Sequence, residues 1–356
     1  MRVLTVIGNR PQFIKAAAVS GPLRAVAEEV LVHTGQHYDE ALSQVFFDEL
    51  ELPRPEHRLE LGGGSNTAQT ARMLVAIEPL LAREQPGLVL VYGHTNSTLA
   101  GALAAAQSGI PVAHVEAGMR SYDRTMPEEL NRVLTDHASD LLLCSSQAAA
   151  ENLRGERVGG EIEVVGDVMV DIAQLLGPRA AARAAALERF GLTAGEYVLA
   201  TAHRAGNVDD PVRLERLVAV LEAVPLPVVL PLHPRTAARL DVAGLRGRLE
   251  RAGVVLAPPL GYLDLTALLL RARAVLTDSG GVQKEAYLAG VPCVTLRAET
   301  EWTETVEAGW NVTVDLDAAS AVAALARPLP AERPPLYGDG RAGERVVAAL
   351  ARRMGA

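Results

Sequence analysis

The residues with the most chemistry in this sequence stand just after short apolar runs. Gly8-Asn9-Arg10-Pro11-Gln12-Phe13-Ile14-Lys15 follows the first of them. Pro11 suits a first helical turn, whose free N–H groups and dipole favour an anion. Arg10 adds a planar fork and Lys15 a mobile point charge, though a surface-charged first turn would use the same residues. The spacing is not the G-x-G-x-x-G of dinucleotide binding. Thr277-Asp278-Ser279-Gly280-Gly281-Val282-Gln283-Lys284-Glu285 has sharper chemistry. Ser279, Gly280 and Gly281 open a helix whose backbone N–H groups can approach a diphosphate closely. Glu285, about one turn in, can accept from vicinal ribose hydroxyls. A tight turn with Ser279 as N-cap explains the serine and one glycine, but needs neither the second glycine nor Glu285.

Carboxylates form a third group. Glu116, in His114-Val115-Glu116-Ala117-Gly118-Met119-Arg120, ends an apolar strand with no capping role to explain it. Glu128 and Glu129 open a helix at Met126-Pro127-Glu128-Glu129-Leu130-Asn131-Arg132, where acids are ordinary dipole partners. Glu128 and Arg132 share a helix face, so the spacing predicts a pair. His203-Arg204 and His233-Pro234-Arg235 also follow strands and together suggest a second anion-binding wall. Arg297-Ala298-Glu299-Thr300-Glu301-Trp302-Thr303-Glu304 offers polar groups and a tryptophan of exposed type for a sugar; Thr300 and Thr303 equally suit a capping box. No spacing matches a metal site, so no metal is expected in the chemistry. The chain has only two lysines, Lys15 and Lys284, and both fall within these segments.

Strand-like runs alternating with helical patterns must position these residues, which is the signature of βαβ units. Strands are predicted at Val3–Ile7, Val30–His33, Leu88–Tyr92, Val112–Val115, Leu141–Cys144 and Glu163–Val165. Helices lie near Gln12–Glu28, Tyr38–Leu50, Asn66–Glu84, Asn96–Gln107, Pro127–His137 and Gln147–Leu153. The pattern stalls over Gly166–Asp171, and an Ala/Arg-rich helix over Pro178–Phe190 leads into a second series: Tyr197–Ala200, Pro227–Leu230, Val254–Leu256, Ala274–Thr277 and Cys293–Leu296. The expected fold class is α/β, with two Rossmann-like doubly wound domains over 1–168 and 169–340. A final helix, within 341–356, is expected to pack back on the first domain. Such a pair places a ligand cleft where the carboxyl ends of its strands face each other.

The 356 residues suffice for two cores. A formal net charge of −9 argues against nucleic acid as partner, while leaving room for a local anion pocket. No apolar run could span a bilayer and the N-terminus lacks signal-peptide features, so a soluble, cytoplasmic protein is expected. Cys144 and Cys293 read as core thiols.

Taken together, TDSGGVQKEA, HVEAGMRS and MPEELNR resemble the non-hydrolysing UDP-N-acetylglucosamine 2-epimerases, from Met1 to about Trp310. GNRPQFIKAA, VHTGQHYDE, VGDVMVD and TEWTETVEAGWN also resemble the branch acting on UDP-diacetamido-glucuronic acid. The resemblance implies a glycosyltransferase-B-type fold, a homodimer, and anti-elimination of UDP through an enzyme-bound 2-acetamidoglucal, with no nicotinamide cofactor. It implies that Arg10 and Lys15 stabilise the diphosphate, that Ser279, Gly280 and Gly281 hold phosphate, and that Glu285 binds ribose. Glu116, Glu128 and His203 are the implied acid–base and leaving-group residues, with Arg132 and Arg297 as charge partners. His233 joins the implied substrate-binding set.

Two positions depart from the family pattern. Gly93-His94-Thr95 stands where the family has an aspartate as a leading acid–base candidate; a histidine, with an ordinary pKa of about 6.5, can carry a proton in its place or leave C2 untouched. Ala205-Gly206-Asn207 replaces an Arg-Glu-Asn. Gln36 and His37 match the allosteric segment of some bacterial members, but their partners do not, so allostery is expected to be weak or absent. The alternatives are a UDP-2,3-diacetamido-glucuronate 2-epimerase, a UDP-sugar glycosyltransferase, and a UDP-sugar binder impaired by His94.

Overall fold

The computed structural model describes residues 2–36 and 47–355. Most of the helix expected over Tyr38–Leu50, and His37, lie outside those residues. The chain forms two compact units, Met1–Gln174 with Pro335–Ala356, and Leu175–Pro334.

In the first unit the described strands are β1 (Arg2–Ile7), β2 (Glu28–His33), β3 (His57–Arg58), β4 (Leu88–Tyr92), β5 (Val112–Ala117), β6 (Leu141–Cys144) and β7 (Glu161–Val164). They form one parallel sheet in the order β3-β2-β1-β4-β5-β6-β7. The central strands are buried nearly along their whole length and rich in Val and Leu, because helices cover both faces. Leu4, Val6, Val30, Val32, Val89 and Val91 pack on Met73, Ile77 and Ala100 of the helices on one side. Fully burying each aliphatic side chain contributes roughly 1.5–3 kcal/mol. The chain order reverses between β1 and β4, so the loops at Gly8 and Gly93 open side by side at their carboxyl ends. Doubly wound sheets take ligands at that point.

The second unit repeats the plan with β8 (Val198–Thr201), β9 (Val228–Pro231), β10 (Val255–Ala257), β11 (Ala274–Thr277), β12 (Cys293–Thr295) and β13 (Asn311–Thr313). Their order is β10-β9-β8-β11-β12-β13, with the reversal between β8 and β11. His203 and Asp278-Ser279 stand at its carboxyl end.

Helix Val168–Ala181 corrects the sequence reading, which placed a stall at Gly166–Asp171 and a helix over Pro178–Phe190. Pro178 lies inside this helix, near its end, and only the short turn Ala185–Glu188 follows it. The last helix, Ala342–Arg353, packs on helix Arg10–Arg24 of the first unit. Asp171 caps it, accepting from the N–H groups of Ala342 (3.1 Å) and Gly343 (2.8 Å). Cys144 and Cys293 are buried free thiols, each pushed up to about 12 by burial. Among the described residues no helix is long and apolar enough to cross a membrane.

His33, at the end of β2, packs on Phe13 (5.1 Å between ring centroids) and Phe47 (6.0 Å). Burial, then the charge of Arg58, lowers its pKa to about 4. A folded-state pKa below the unfolded value of about 6.5 means protonation opposes folding, so stability is full above that value and lost as pH falls toward 4. The loss should be about 2 kcal/mol after discounting for residual exposure. Urea midpoints measured from pH 7 to 4.5 should fall less steeply for His33→Phe than for the parent; parallel curves would exclude His33 as the cause.

Candidate active site

One group of candidate residues is built at the β1/β4 reversal of the first unit. Asn9 caps helix Arg10–Arg24, accepting from Gln12 N–H at 3.3 Å. Gln12 turns inward and is buried. Its Oε1 accepts from Gly8 N–H (2.8 Å), and its Nε2 donates to Tyr92 O (3.0 Å) and Thr98 Oγ1 (3.0 Å). One side chain thus ties the loop after β1 to the loop after β4. Arg10, half-buried, begins the helix, and Lys15 reaches across to pair with the carboxylate of Glu116. Lys15 is 8% and Glu116 5% exposed, so the pair is largely withdrawn from water.

Glu116 has a backbone φ of +70°, in the left-handed region. The register between β5 and β6 slips there, between Val115 and Ala117. A non-glycine residue in that region costs on the order of 1 kcal/mol, and such strain gathers where a side chain must be aimed. Its surroundings hold it on both sides. His114, fully buried, donates from Nε2 to Gly93 O (2.6 Å) and meets Asp136 Oδ1 through Nδ1 (2.7 Å). Asp136 Oδ2 accepts from Gly118 N–H (3.2 Å) and Arg120 Nη1 (2.7 Å). Burial alone would raise the Asp136 pKa, but His114 and Arg120 outweigh it and hold the carboxyl below the usual range. Gly93 leaves the ion pair its space: a Cβ there would sit 3.1 Å from Lys15 Nζ and 3.4 Å from Glu116 Oε2, at a φ of +64° that favours glycine.

Helix Pro127–Ala138 carries Glu128 in its first turn, half-buried. Arg132 is 1% exposed and forms its ion pair with Glu129 (3.4 Å) rather than with Glu128, whose backbone carbonyl it meets at 3.3 Å. This corrects the expected pair. Glu129 is more than a dipole partner, because its carboxylate accepts from the N–H groups of Ser121 (3.0 Å) and Tyr122 (2.9 Å) and fixes the preceding loop. Asn131 donates to His94 O (3.3 Å), tying the loop that bears His94 to the helix that bears Glu128. His94, Glu116 and Glu128 therefore belong to neighbouring elements at one end of one sheet.

A separate group of candidate residues gathers at the β8/β11 reversal of the second unit. Asp278, fully buried, accepts from the N–H groups of His203 (3.1 Å) and Arg204 (3.0 Å) and from Asn207 Nδ2 (3.2 Å). His203 stacks on His233, with ring centroids 5.4 Å apart. His233 also caps helix Pro234–Val242, accepting from Arg235 N–H at 3.2 Å. Ser279 is the N-cap residue of helix Gly280–Ala289, but its side chain makes no capping hydrogen bond. Glu301 accepts from Arg204 (3.2 Å) and Arg297 (2.9 Å). Burial raises its pKa, but Arg297 and then Arg204 prevail and hold it at about 2. A Cβ on Gly280 would lie 3.7 Å from Glu301 and 3.9 Å from Arg204. Arg204 and Arg297 thus flank Glu301 beside a helix N-terminus, where guanidinium forks and free N–H groups suit phosphate. Glu285 sits half-buried in the same helix.

Trp302 corrects the expectation of an exposed ring. It is 7% exposed, donates from Nε1 to Gly280 O (2.8 Å), and carries the ammonium of buried Lys284 3.8 Å from its ring centroid. The capping box at Thr300 and Thr303 is absent, since Thr300 Oγ1 joins Gln283 (2.5 Å) and Trp302 N–H (3.2 Å) instead. Sequence reasoning passed over Gln12, Asp136 and Glu301. For Gln12 the signal was the Asn9-x-x-Gln12 spacing across a helix start.

Comparison with known proteins adds the following. The sequence profile of the family described as UDP-N-acetylglucosamine 2-epimerase matches residues 23–351. The chain is 46% identical, over 99% of its length and 100% of the relative's, to the UDP-2,3-diacetamido-2,3-dideoxy-D-glucuronate 2-epimerase of Pseudomonas aeruginosa. It is 40% identical, over 98% of its length and 99% of the relative's, to the UDP-N-acetylglucosamine 2-epimerase of Methanocaldococcus jannaschii. The crystal structure of Methanocaldococcus jannaschii UDP-GlcNAc 2-epimerase in complex with UDP-GlcNAc and UDP is similar at a TM-score of 0.93 and 39% identity, covering 99% of this chain and 100% of that one.

Proposed function

This chain belongs to the UDP-N-acetylglucosamine 2-epimerase family, and from that membership we propose that it inverts C2 of a UDP-2-acetamido sugar, converting UDP-GlcNAc to UDP-ManNAc. A base takes the C2 proton as UDP departs from C1, leaving a 2-acetamidoglucal. Protonation of the opposite C2 face and return of UDP to C1 give the epimer. The observation that carries this reading is Glu116, a buried carboxylate aimed by a left-handed backbone beside Lys15. Glu128 and His94, on the neighbouring elements, are the other proton carriers we assign, with Arg132 as their charge partner and His203 at the leaving group. Arg10 and Lys15 meet the diphosphate. The Ser279-Gly280-Gly281 turn, with Arg297, holds phosphate, Glu285 holds ribose, and His233 lies against His203. We assign the protein to the cytoplasm as a homodimer; light scattering at twice the chain mass is the check on the latter.

The test is incubation with UDP-GlcNAc in D₂O, following C2 by proton NMR. Deuterium at C2 together with a UDP-ManNAc signal is the expected result. Line-broadening without exchange, on this substrate and on UDP-2,3-diacetamido-glucuronate, would leave a binder in place of an enzyme. The second substrate is a specific alternative, favoured by the 46% identity to the Pseudomonas aeruginosa enzyme over 99% of this chain and 100% of that one.

A further inference from the structure

Lys15 is asked to do two things that one ammonium cannot do fully at once. Its place at a helix start beside Arg10 suits a diphosphate, yet in the structure it is committed to Glu116. The pair is buried, and Gly93 closes one side of it so tightly that a Cβ there would come within 3.1 Å of Lys15 Nζ. A diphosphate that draws on the ammonium must therefore share its three N–H donors with the carboxylate already there. We propose that Glu116 and the substrate's diphosphate compete for Lys15, and that the ammonium passes to the diphosphate as Glu116 takes up the proton. This rests on the UDP-sugar reading above and deepens it.

Charge balance through the elimination carries the argument. The C2–H bond breaks, its electron pair becomes the C1=C2 bond, and the proton goes to a Glu116 oxygen. The C1–O bond breaks and its pair stays on the departing diphosphate, which gains one negative charge. In the same step Glu116 loses its charge and with it most of its claim on Lys15. A flexible four-carbon stem lets the ammonium follow the charge, where a planar guanidinium would be held by its fork. An ammonium that reaches the diphosphate as its charge develops makes that contact more strongly in the transition state than in the starting complex, which is what accelerates a step. The other charged and titratable groups on the elements around Glu116 include Arg10 and Arg24 on the same helix as Lys15, Tyr92 on β4 and His94 after it, His114 on β5 and Arg120 after it, and Glu128, Glu129, Arg132, Asp136 and His137 on helix Pro127–Ala138.

The experiment is calorimetric titration with UDP at fixed ionic strength. Removing the competitor should strengthen binding, so Glu116→Gln is expected to bind UDP about tenfold more tightly than the parent. Lys15→Met should bind UDP about tenfold more weakly, and adding Glu116→Gln to it should change the affinity by less than about twofold. If Glu116→Gln does not fold, Glu116→Asp, which withdraws the carboxylate by one methylene, should tighten UDP in the same direction. Unchanged or weaker UDP binding in the Glu116 variants, or the same tightening without Lys15, overturns the proposal. A parent protein that binds no UDP and exchanges no deuterium overturns the UDP-sugar reading instead, so the two failures are distinct.

Discussion

Glu116→Gln should lower kcat for C2 epimerisation by about a thousandfold, the range a positioned acid–base group contributes. The substitution keeps side-chain shape and one acceptor oxygen, so Lys15 retains a hydrogen-bond partner and the fold should persist. Deuterium incorporation at C2 should fall in step with product, since both need the proton removed. Exchange near the parent rate would move the proton-accepting role to Glu128 or His94, and the same measurement on Glu128→Gln and His94→Gln would separate them. The size of the effect follows from how little freedom the site leaves. Glu116 sits at a φ of +70° in a strand bulge, and no neighbouring carboxylate could take over its direction without the same backbone.

Asp136→Ala should be the most destabilising single change at the site, by about 3–5 kcal/mol, because it leaves Arg120 with Glu156 alone and takes the buried acceptor away from His114 Nδ1 and the Gly118 N–H. Asp136 is fully buried and takes hydrogen bonds from His114, Arg120 and the Gly118 N–H. Urea unfolding at pH 7 is the measurement, and a loss under about 1 kcal/mol would show the network to be dispensable. The folded-state pKa of Asp136 lies below its ordinary value, so the stability it provides is present above the ordinary carboxylate range and is lost as pH falls through the lower folded value. The gap between parent and Asp136→Ala should therefore close in strong acid. The same variant should lose activity even where it is folded, because Asp136 anchors Gly118 directly and Gly93 through His114, the two sides from which Glu116 is held.

The strands were legible because each is a short apolar run bounded by glycine, proline or charge; Leu88–Tyr92, Leu141–Cys144 and Ala274–Thr277 fall where the pattern puts them. Two short outer strands, His57–Arg58 and Asn311–Thr313, were not, since two or three half-polar residues give no period to read. Helix Val168–Ala181 was hidden by Gly166 and Pro178, both read as breaks, although a proline near the end of a helix disturbs little that follows it. The positions of Glu116, Ser279 and Glu285 at strand ends were visible. What each of them touches was not: Lys15 and Glu116 are 101 residues apart and Arg204 and Glu301 are 97 apart, and nothing local to either end announces the partner. Trp302 shows the opposite failing. Its polar neighbours suggested exposure, while the ring is covered from one side by Lys284 and pinned at its edge by Gly280.

The docking of helix Ala342–Arg353 on helix Arg10–Arg24 bears on the order in which the chain can acquire its structure during synthesis. Residues 175–334 form their unit from one uninterrupted stretch, and all of them precede the segment that finishes the other unit. The unit bearing Lys15 and Glu116 is begun first and completed last, when Gly343 can settle against Ala18 O and Asp171 can cap the final helix. A ribosome-bound chain stalled once residue 334 has cleared the exit tunnel should thus hold a finished second unit and an unfinished first one.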